Sequence, residues 1–99
     1  MKEIIGSLNK IFESRVRIGI MSVLTVNDEA DFNELKNTLS ITDGNLASHA
    51  GALEDEGYIG SKRKLLGNKT KKTFYATPKG IKAFSIHLDA LDKLIKGIK

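Results

Sequence analysis

The chain has no cysteine and no tryptophan among its 99 residues, and it has one proline. Without cysteine it has no disulfide, no thiolate ligand for zinc and no cysteine nucleophile. This composition gives no sign of an oxidising compartment, so we expect a cytoplasmic protein. Residues 1–11 mix charged and apolar side chains without an apolar run as long as a signal peptide or a membrane span, so we expect no export and no membrane contact.

Residues that support catalysis are also scarce. The two histidines, His49 and His87, lie far apart in the sequence and match no metal-binding spacing. The glycines match no phosphate-binding fingerprint. The neighbouring acids Asp55 and Glu56 are more typical of a solvated helix end than of acid-base machinery. We therefore expect a protein that is not an enzyme and that uses neither a cofactor nor a metal.

Charge is segregated along the chain, although the net charge is only +4. Residues 62–82 hold eight of the sixteen Lys and Arg residues, and no acidic residue occurs between Glu56 and Asp89. In contrast, residues 28–43 hold five acidic residues and one lysine. The basic stretch suits a polyanion, because Lys and Arg that neutralise phosphates release condensed counterions. A solvated surface loop is the alternative that charge alone leaves open.

Apolar spacing predicts helices in the first third of the chain. Apolar residues recur at helical spacing from Ile4 to Leu24, which predicts one long helix or two abutting helices that end near Thr25. Asp31 and Glu34 then form a capping-box pattern. A second, short helix is therefore expected after Asp31.

A third helix follows a tight turn at residues 40–42. Thr42 or Asp43 can cap it, and Gly57 is placed to end it. Its buried positions are predicted to be Leu46, Ala50 and Leu53.

The pattern then changes to that of a hairpin. Residues 58–66 and 73–77 contain β-branched and aromatic side chains and are separated by a loop at residues 67–70. Thr77 and Pro78 then have the residue types that cap and open a helix. The predicted order, three helices followed by a hairpin and a helix, is that of a helix-turn-helix followed by a wing, in one mainly α domain (α+β).

The last helix, from Pro78 to about Ile98, has apolar residues in a seven-residue repeat. This seam either packs on the chain's own N-terminal helix or forms an interface with a second copy. Because Ile86 and Leu94 lie off the seam and also need cover, we favour a homodimer that uses both terminal helices. The predicted interface residues are Ile4, Leu8, Ile11, Phe84, Leu88, Leu91, Ile95 and Ile98.

Small and polar residues remain on the outward face of the third helix. They are Asn45, Ser48, His49 and Ala52, with Gly44 at the start of the helix. Asn pairs with adenine, Ser donates or accepts, and His donates to guanine or phosphate, when the start of such a helix enters the major groove of DNA. Polar residues occur on every surface helix, so this face alone leaves an ordinary surface equally open.

The predicted hairpin carries the largest group of basic residues: Lys62, Arg63, Lys64, Lys69, Lys71 and Lys72. A basic ribbon of this kind follows the phosphate backbone and brings its tip to the minor groove. Such lysine contacts position a protein without specifying sequence. At the tip, Asn68 and Thr70 either add contacts or are ordinary turn residues. We favour the second interpretation and keep Asn68 among the candidate contacts.

Three motifs give the chain a family likeness. Residues Thr42–His49, Leu53–Ile59 and Thr77–Gly80 resemble the start of the recognition helix, its end and the segment after the wing in small prokaryotic winged helix-turn-helix regulators related to the MarR and ArsR groups. The likeness covers roughly Arg15 to Phe84. It implies sequence-specific binding of duplex DNA by a symmetric dimer. We expect a single domain at 1–99, with an N-terminal helix at 1–13, a winged-helix core at 14–80 and a dimerisation helix at 81–99.

Carried over by position, the resemblance places part of the third helix at the DNA, with the basic wing beside it. These residues are Thr42, Gly44, Asn45, Ser48 and His49. A winged-helix module that binds another protein is the alternative, because the third helix is only weakly basic. Structured RNA fits less well, since its deep and narrow major groove does not admit a helix. No effector site is marked in the sequence.

Overall fold

The computed structural model describes residues 2–97. Those residues form five α-helices, one 3-10 turn and a three-stranded antiparallel sheet, which confirms the predicted mainly α fold with a hairpin. No helix in that range is long and apolar enough to cross a membrane. The elements are α1 (Lys2–Gly6), the 3-10 turn (Lys10–Phe12), α2 (Arg15–Val26), β1 (Ala30–Asp31), α3 (Phe32–Leu39), α4 (Asp43–Asp55), β2 (Ile59–Leu66), β3 (Lys69–Ala76) and α5 (Pro78–Lys96).

The N-terminal region is more broken than its apolar spacing predicts. In place of one long helix or two abutting helices there are α1, the 3-10 turn and α2. Asn9 caps the 3-10 turn, because its Oδ1 accepts a hydrogen bond from Ile11 N at 3.0 Å. Ser14 caps α2, because its Oγ accepts from Arg17 N at 3.3 Å. These two polar side chains compete for backbone N–H groups and so begin new elements inside the apolar repeat.

The predicted starts of α3 and α4 and the predicted end of α4 are confirmed. Asp31 caps α3 in a complete capping box: its Oδ1 accepts from Glu34 N at 2.9 Å, and Glu34 Oε1 accepts from Asp31 N at 3.1 Å. Thr42, and not Asp43, caps α4. Gly57 follows α4 with a φ of 75°, a left-handed conformation that glycine adopts at low cost.

The hairpin is longer than predicted and its turn is tighter. Strand β3 begins at Lys69, not at Thr73, and the loop is the two residues Gly67 and Asn68. Gly67 has a φ of 61°, and a positive φ at the first loop residue is typical of a two-residue type II′ turn. The run Lys69–Lys72 has little intrinsic strand preference, so it is held in the ladder by pairing with β2.

The sheet has a third strand that the sequence did not predict. The two-residue strand β1 pairs with β3, with Ala30 opposite Phe74 and Asp31 opposite Thr73. Strand β3 therefore lies in the centre, and the acidic segment before α3 lies beside the basic hairpin.

Phe12 lies at the centre of the core, with no exposed surface. Its ring centroid is 5.3 Å from each of the rings of Tyr58, Phe84 and His87. Other large side chains that are fully buried come from α2, α3, α4 and the central strand β3: Ile20, Met21, Leu35, Leu46, Leu53 and Phe74.

His87 ties the N-terminal segment to α5. Its Nδ1 accepts a hydrogen bond from Asn9 N at 2.9 Å, while Asn9 Nδ2 donates to the Tyr58 hydroxyl at 2.9 Å. Burial lowers the pKa of His87 below 6.5, and the charge of Glu13 opposes part of that effect. The neutral imidazole is therefore the form that fits this polar cluster.

Some residues of the seven-residue seam of α5 are buried in the core, and others are exposed to solvent. Phe84 is buried in the chain's own core, so the prediction that it lies at a dimer interface is wrong. Leu88 and Ile95 are exposed, and Leu91 is half-buried, as are the α1-side residues Ile4, Leu8 and Ile11. The buried face of α5 is centred on His87, and so is rotated away from the seam. Ile98 lies outside the described residues.

Candidate nucleic-acid interface

The outward face of α4 contains the residues that the sequence assigns to it. Gly44, Asn45 and Ser48 are exposed, and His49 is half-buried. The opposite face packs in the core through Leu46, Ala50 and Leu53, as predicted. The amphipathic spacing of α4 therefore brings the four candidate residues to one surface.

The first turn of α4 is held from both sides. Thr42 Oγ1 accepts a hydrogen bond from Asn45 N at 3.1 Å, and its hydroxyl hydrogen remains available to donate. Asp43, whose charge would repel a phosphate, forms an ion pair with Lys36 of α3 at 2.8 Å. This pair reduces the negative potential at the start of α4.

An arginine that the sequence analysis did not single out contacts this face. Arg17 Nε, from α2, donates to His49 Nδ1 at 3.0 Å, and its Nη1 donates to the carbonyl of Ile11 at 3.3 Å. The guanidinium thus joins α2, the 3-10 turn and α4. The only sequence signal was the pair of cations Arg15 and Arg17 after the Ser14 cap.

Arg15 lies at an open depression beside the start of α4. The depression is lined by Arg15 and Val16 of α2, by the turn at residues 39–42 and by Asn45. The arginine is exposed, and the free backbone N–H groups at a helix start favour an anion. The helix-turn-helix therefore has a cation at the position where its two helices meet.

One face of the hairpin is covered by acidic side chains. Strand alternation puts Lys62, Lys64 and Lys71 on the same face, with Lys64 directly opposite Lys71. Glu29 pairs with Lys62 at 2.9 Å and also with Lys64, and Asp31 Oδ2 lies 3.6 Å from Lys71 Nζ. We call this the outer face; its lysines are exposed, but their charges are partly balanced within the chain.

The other face of the hairpin adjoins α4. Arg63 lies directly opposite Lys72 in the ladder. On the same face, Ser61 Oγ donates to Glu54 of α4 at 3.2 Å, and Lys72 Nζ lies 3.8 Å from the same carboxylate. We call this the inner face, because it contacts α4.

The tip of the hairpin is exposed on both strands. Lys69 and Asn68 are exposed, as are the apolar side chains of Leu65 and Leu66. Asn68 belongs to the two-residue loop, in agreement with the turn role that we favoured, but the same prediction was wrong for Thr70, which lies in β3 opposite Leu65. The structure thus divides the six predicted hairpin cations among the two faces and the tip.

Asp31, which lies against the outer face, has both a backbone N–H and a lysine as partners of its carboxylate. The backbone N–H of Glu34 donates to its carboxylate and lowers the pKa of Asp31 below 3.8, and Lys71 lowers it further. Partial burial opposes these effects. Asp31 is therefore charged over the physiological range, and it serves at once as helix cap and as partner of the hairpin.

A family model described as winged helix DNA-binding domain matches residues 16–95. The chain belongs to this family. The match extends from α2 into α5 and includes the helix-turn-helix of α3 and α4 and the wing formed by β2 and β3. It confirms the resemblance given by the three sequence motifs.

The chain is also similar to individual proteins of known sequence and of known structure. An uncharacterized protein of Methanocaldococcus jannaschii is 36% identical over 90 residues, which are 91% of this chain and 98% of that protein. The structure of a transcriptional regulator homologue from Pyrococcus horikoshii OT3 has a TM-score of 0.86 at 28% identity, over 99% of this chain and 95% of that chain. The transcriptional regulator BldR from Sulfolobus solfataricus shares the fold, with a TM-score of 0.73 at 20% identity over 98% of this chain and 69% of that chain.

Proposed function

We propose that the chain is a sequence-specific regulator of transcription that binds double-stranded DNA as a homodimer. In this proposal α4 enters the major groove and the wing contacts the phosphate backbone. The observation that carries it is that α4, whose candidate residues Gly44, Asn45 and Ser48 are exposed, lies directly beside the inner face of the basic wing, to which it is joined by the contact of Ser61 with Glu54. The regulator homologue from Pyrococcus horikoshii, which matches nearly the whole chain, supports the regulatory role.

The shape of α4 supports close approach to DNA. A β-carbon on Gly44 or Gly51 would meet no atom within 4 Å, so no contact inside the described chain requires glycine at either position. Ser48 lies between these glycines on the outward side, and because all three side chains are absent or small, this side of the helix projects little beyond its backbone. Small side chains at these positions let the helix backbone come close to the DNA, so that the longer side chains of Asn45 and His49 reach base edges in the groove.

Phosphate contacts are assigned to cations on either side of α4. Arg15 borders the start of the helix, and Arg63 and Lys72 lie on the inner face of the wing. Contacts of this kind add affinity and orientation without sequence preference.

The homodimer is supported by the exposed edge of the α5 seam. Ile81, Leu88 and Ile95 are spaced by seven residues and are between 43% and 82% exposed. Ile5 of α1 is also exposed, and α1 packs against α5. A second copy would bury these side chains, which a helix of a monomer usually does not leave in water as a row.

DNA binding is tested by fluorescence anisotropy of a random pool of duplexes across a salt series. We expect log affinity to fall linearly with log salt, as counterion release requires, and selection of a preferred site then follows. Absence of binding even at low salt would overturn the proposal and would favour a winged helix that binds protein.

The dimer is tested by sedimentation of the full chain at tens of micromolar. We expect Leu88→Asp and Ile95→Asp to convert a dimer to monomer, because each places a charge in the proposed interface. Val26→Asp is the matched control, since Val26 is 84% exposed at the end of α2. A wild-type monomer, or equal effects of all three substitutions, would contradict the α5 interface.

A further inference from the structure

We propose that Arg17 is a positioning residue that sets the protonation pattern of His49 and so makes this side chain a hydrogen-bond donor to a guanine in the bound DNA. The inference rests on the proposed function, because the acceptor belongs to DNA. It assigns a specificity role to an α2 residue that need not touch the DNA itself.

The contact between the two side chains determines which nitrogen carries the proton. Arg17 Nε lies 3.0 Å from His49 Nδ1. Arginine has only donors and stays protonated, so Nδ1 must accept. A neutral imidazole has one proton-bearing nitrogen, so the proton of His49 lies on Nε2.

The second contact of the guanidinium gives the arginine its rigidity. Nη1 donates to the carbonyl of Ile11 at 3.3 Å, at the 3-10 turn beside the core residue Phe12. Two hydrogen bonds to different elements restrict a side chain that otherwise has many rotamers. The direction in which Nε points is therefore determined by contacts with two other elements of the fold, and not by the rotamer preference of an arginine on α2 alone.

The proton-bearing nitrogen of His49 is open to a partner. No buried side-chain nitrogen or oxygen in residues 2–97 lacks a hydrogen-bond partner, and Nε2 of His49 makes no hydrogen bond in that range. Nε2 is therefore in contact with solvent. It lies on the α4 face one turn after Asn45, among the residues proposed to meet base edges.

A fixed N–H donor distinguishes bases by their major-groove edges. Guanine presents the acceptors N7 and O6, whereas cytosine presents an amino donor. Without Arg17 the proton can move to Nδ1, and Nε2 then becomes an acceptor that also tolerates amino groups. Loss of Arg17 is therefore expected to relax base preference at the contacted position more than it lowers overall affinity.

The protonation pattern is measured first, on the wild-type protein without DNA, from the ring nitrogen resonances in NMR spectra. We expect His49 to show a proton on Nε2 and a bare Nδ1, and Arg17→Met to give a mixture of both forms. His87 is an internal control, because its Nδ1 accepts from Asn9 N in either protein. A proton on His49 Nδ1 in the wild type would overturn the inference.

Base preference is measured next, on the selected DNA site and its single-base variants. We expect Arg17→Met to reduce discrimination at one or two base pairs by about fivefold to tenfold, the scale of a good base contact. Arg15→Met is the matched control: it removes the same charge and should weaken binding equally on all variants. In a His49→Ala background, Arg17→Met should reduce discrimination no further.

The outcomes separate the two proposals. Wild-type protein that binds no DNA overturns the proposed function and this inference with it. Wild-type protein that binds DNA, with discrimination unchanged in a folded Arg17→Met variant, overturns the inference alone. A uniform loss over all sequences does the same, because it assigns Arg17 or His49 to phosphate. If Arg17→Met does not fold, Arg17→Lys is used, and the wild-type spectrum still decides the position of the proton.

Discussion

The two faces of the wing carry similar cations in different surroundings. On the outer face, Lys62 and Lys64 pair with Glu29. On the inner face, Arg63 and Lys72 lie beside α4, where the nearest acid is Glu54, 3.8 Å from Lys72. A count of basic residues along the sequence treats these positions as equal, but the fold makes one face partly neutral and leaves the other directed toward the proposed DNA surface.

The difference arises from a strand only two residues long. In the sequence, the acidic residues 28–43 and the basic residues 62–82 are separate blocks. Pairing of β1 with β3 puts Glu29 and Asp31 against the outer face. The lysines of these ion pairs are exposed while their carboxylates are partly buried, and each pair contributes only about 0 to 1 kcal/mol. The two acidic residues therefore lower the positive electrostatic potential of the outer face, but they do not fix the lysine side chains in one conformation.

The largest expected effect is that of Arg63→Ala combined with Lys72→Ala. These residues lie on the wing face that adjoins α4, where we propose phosphate contacts, so we expect DNA affinity to fall at least about tenfold at low salt. We also expect the salt slope to decrease by up to about two, one for each lost phosphate contact. Anisotropy titrations across a salt series measure both quantities.

The outer face supplies the control for this result. Lys62→Ala combined with Lys64→Ala removes the same number of charges, but both of these lysines pair with Glu29, whereas on the inner face Lys72 alone has an acidic partner among the described residues, at 3.8 Å. We expect the salt slope to decrease by less than about one. Equal losses from the two double substitutions would show that the faces do not differ in DNA binding.

A smaller effect in the opposite direction is expected for Glu29→Gln. This change releases two outer-face lysines at once, so we expect DNA affinity to rise about threefold at low salt and the salt slope to become steeper. The gain should vanish at high salt, where exposed charges are screened. The titration is the same as for the double substitutions.

Asp28→Asn is the matched control for Glu29, because Asp28 is exposed one residue earlier and makes no ion pair within residues 2–97. It changes the net charge by the same amount. If both substitutions raise affinity equally, net charge alone explains the gain and the pairing of Glu29 with the wing has no part in it.

Local sequence rules predict the helix-turn-helix and its caps. The capping box of Asp31, the cap at Thr42 and the stop at Gly57 each depend on one or two neighbouring side chains. The apolar face of α4 has a helical period and a single buried side. These features can be predicted from the sequence because the residues that cause them lie within a few positions of each other.

Features that depend on distant residues were not predicted. Strand β1 is too short for a pattern, and its partner Phe74 lies in another part of the chain. The contact of Arg17 with His49 spans 32 positions. The predicted interface role of Phe84 in α5 was wrong, because the buried face of this helix is centred on His87, a polar residue that apolar spacing does not mark as buried. Spacing predicts that a helix is amphipathic, but it does not determine which side faces the core when apolar residues lie on both.

The smallest expected effect is that of Asp31→Asn on the stability of the fold in acid. This measurement tests the role of Asp31 in the absence of DNA. The folded pKa of Asp31 is lowered below 3.8, first by the N–H of Glu34. Its charge therefore stabilises the fold above that value, and the contribution is lost as pH falls through the folded pKa. Thermal unfolding between pH 7 and pH 2 should show this loss in the wild type and a weaker pH dependence in Asp31→Asn at the acid end.

His87 provides an acid-sensitive reference in the same titration. Because burial lowers its folded pKa below 6.5, the unfolded chain binds a proton first, and stability decreases as pH falls below about 6.5. That decrease should be the same in the wild type and in Asp31→Asn, since His87 lies in the core beside Phe12 and not at the wing. A difference between the two proteins that already appears near pH 6 would mean that Asp31 acts on the core, and not only on the cap of α3 and the outer face.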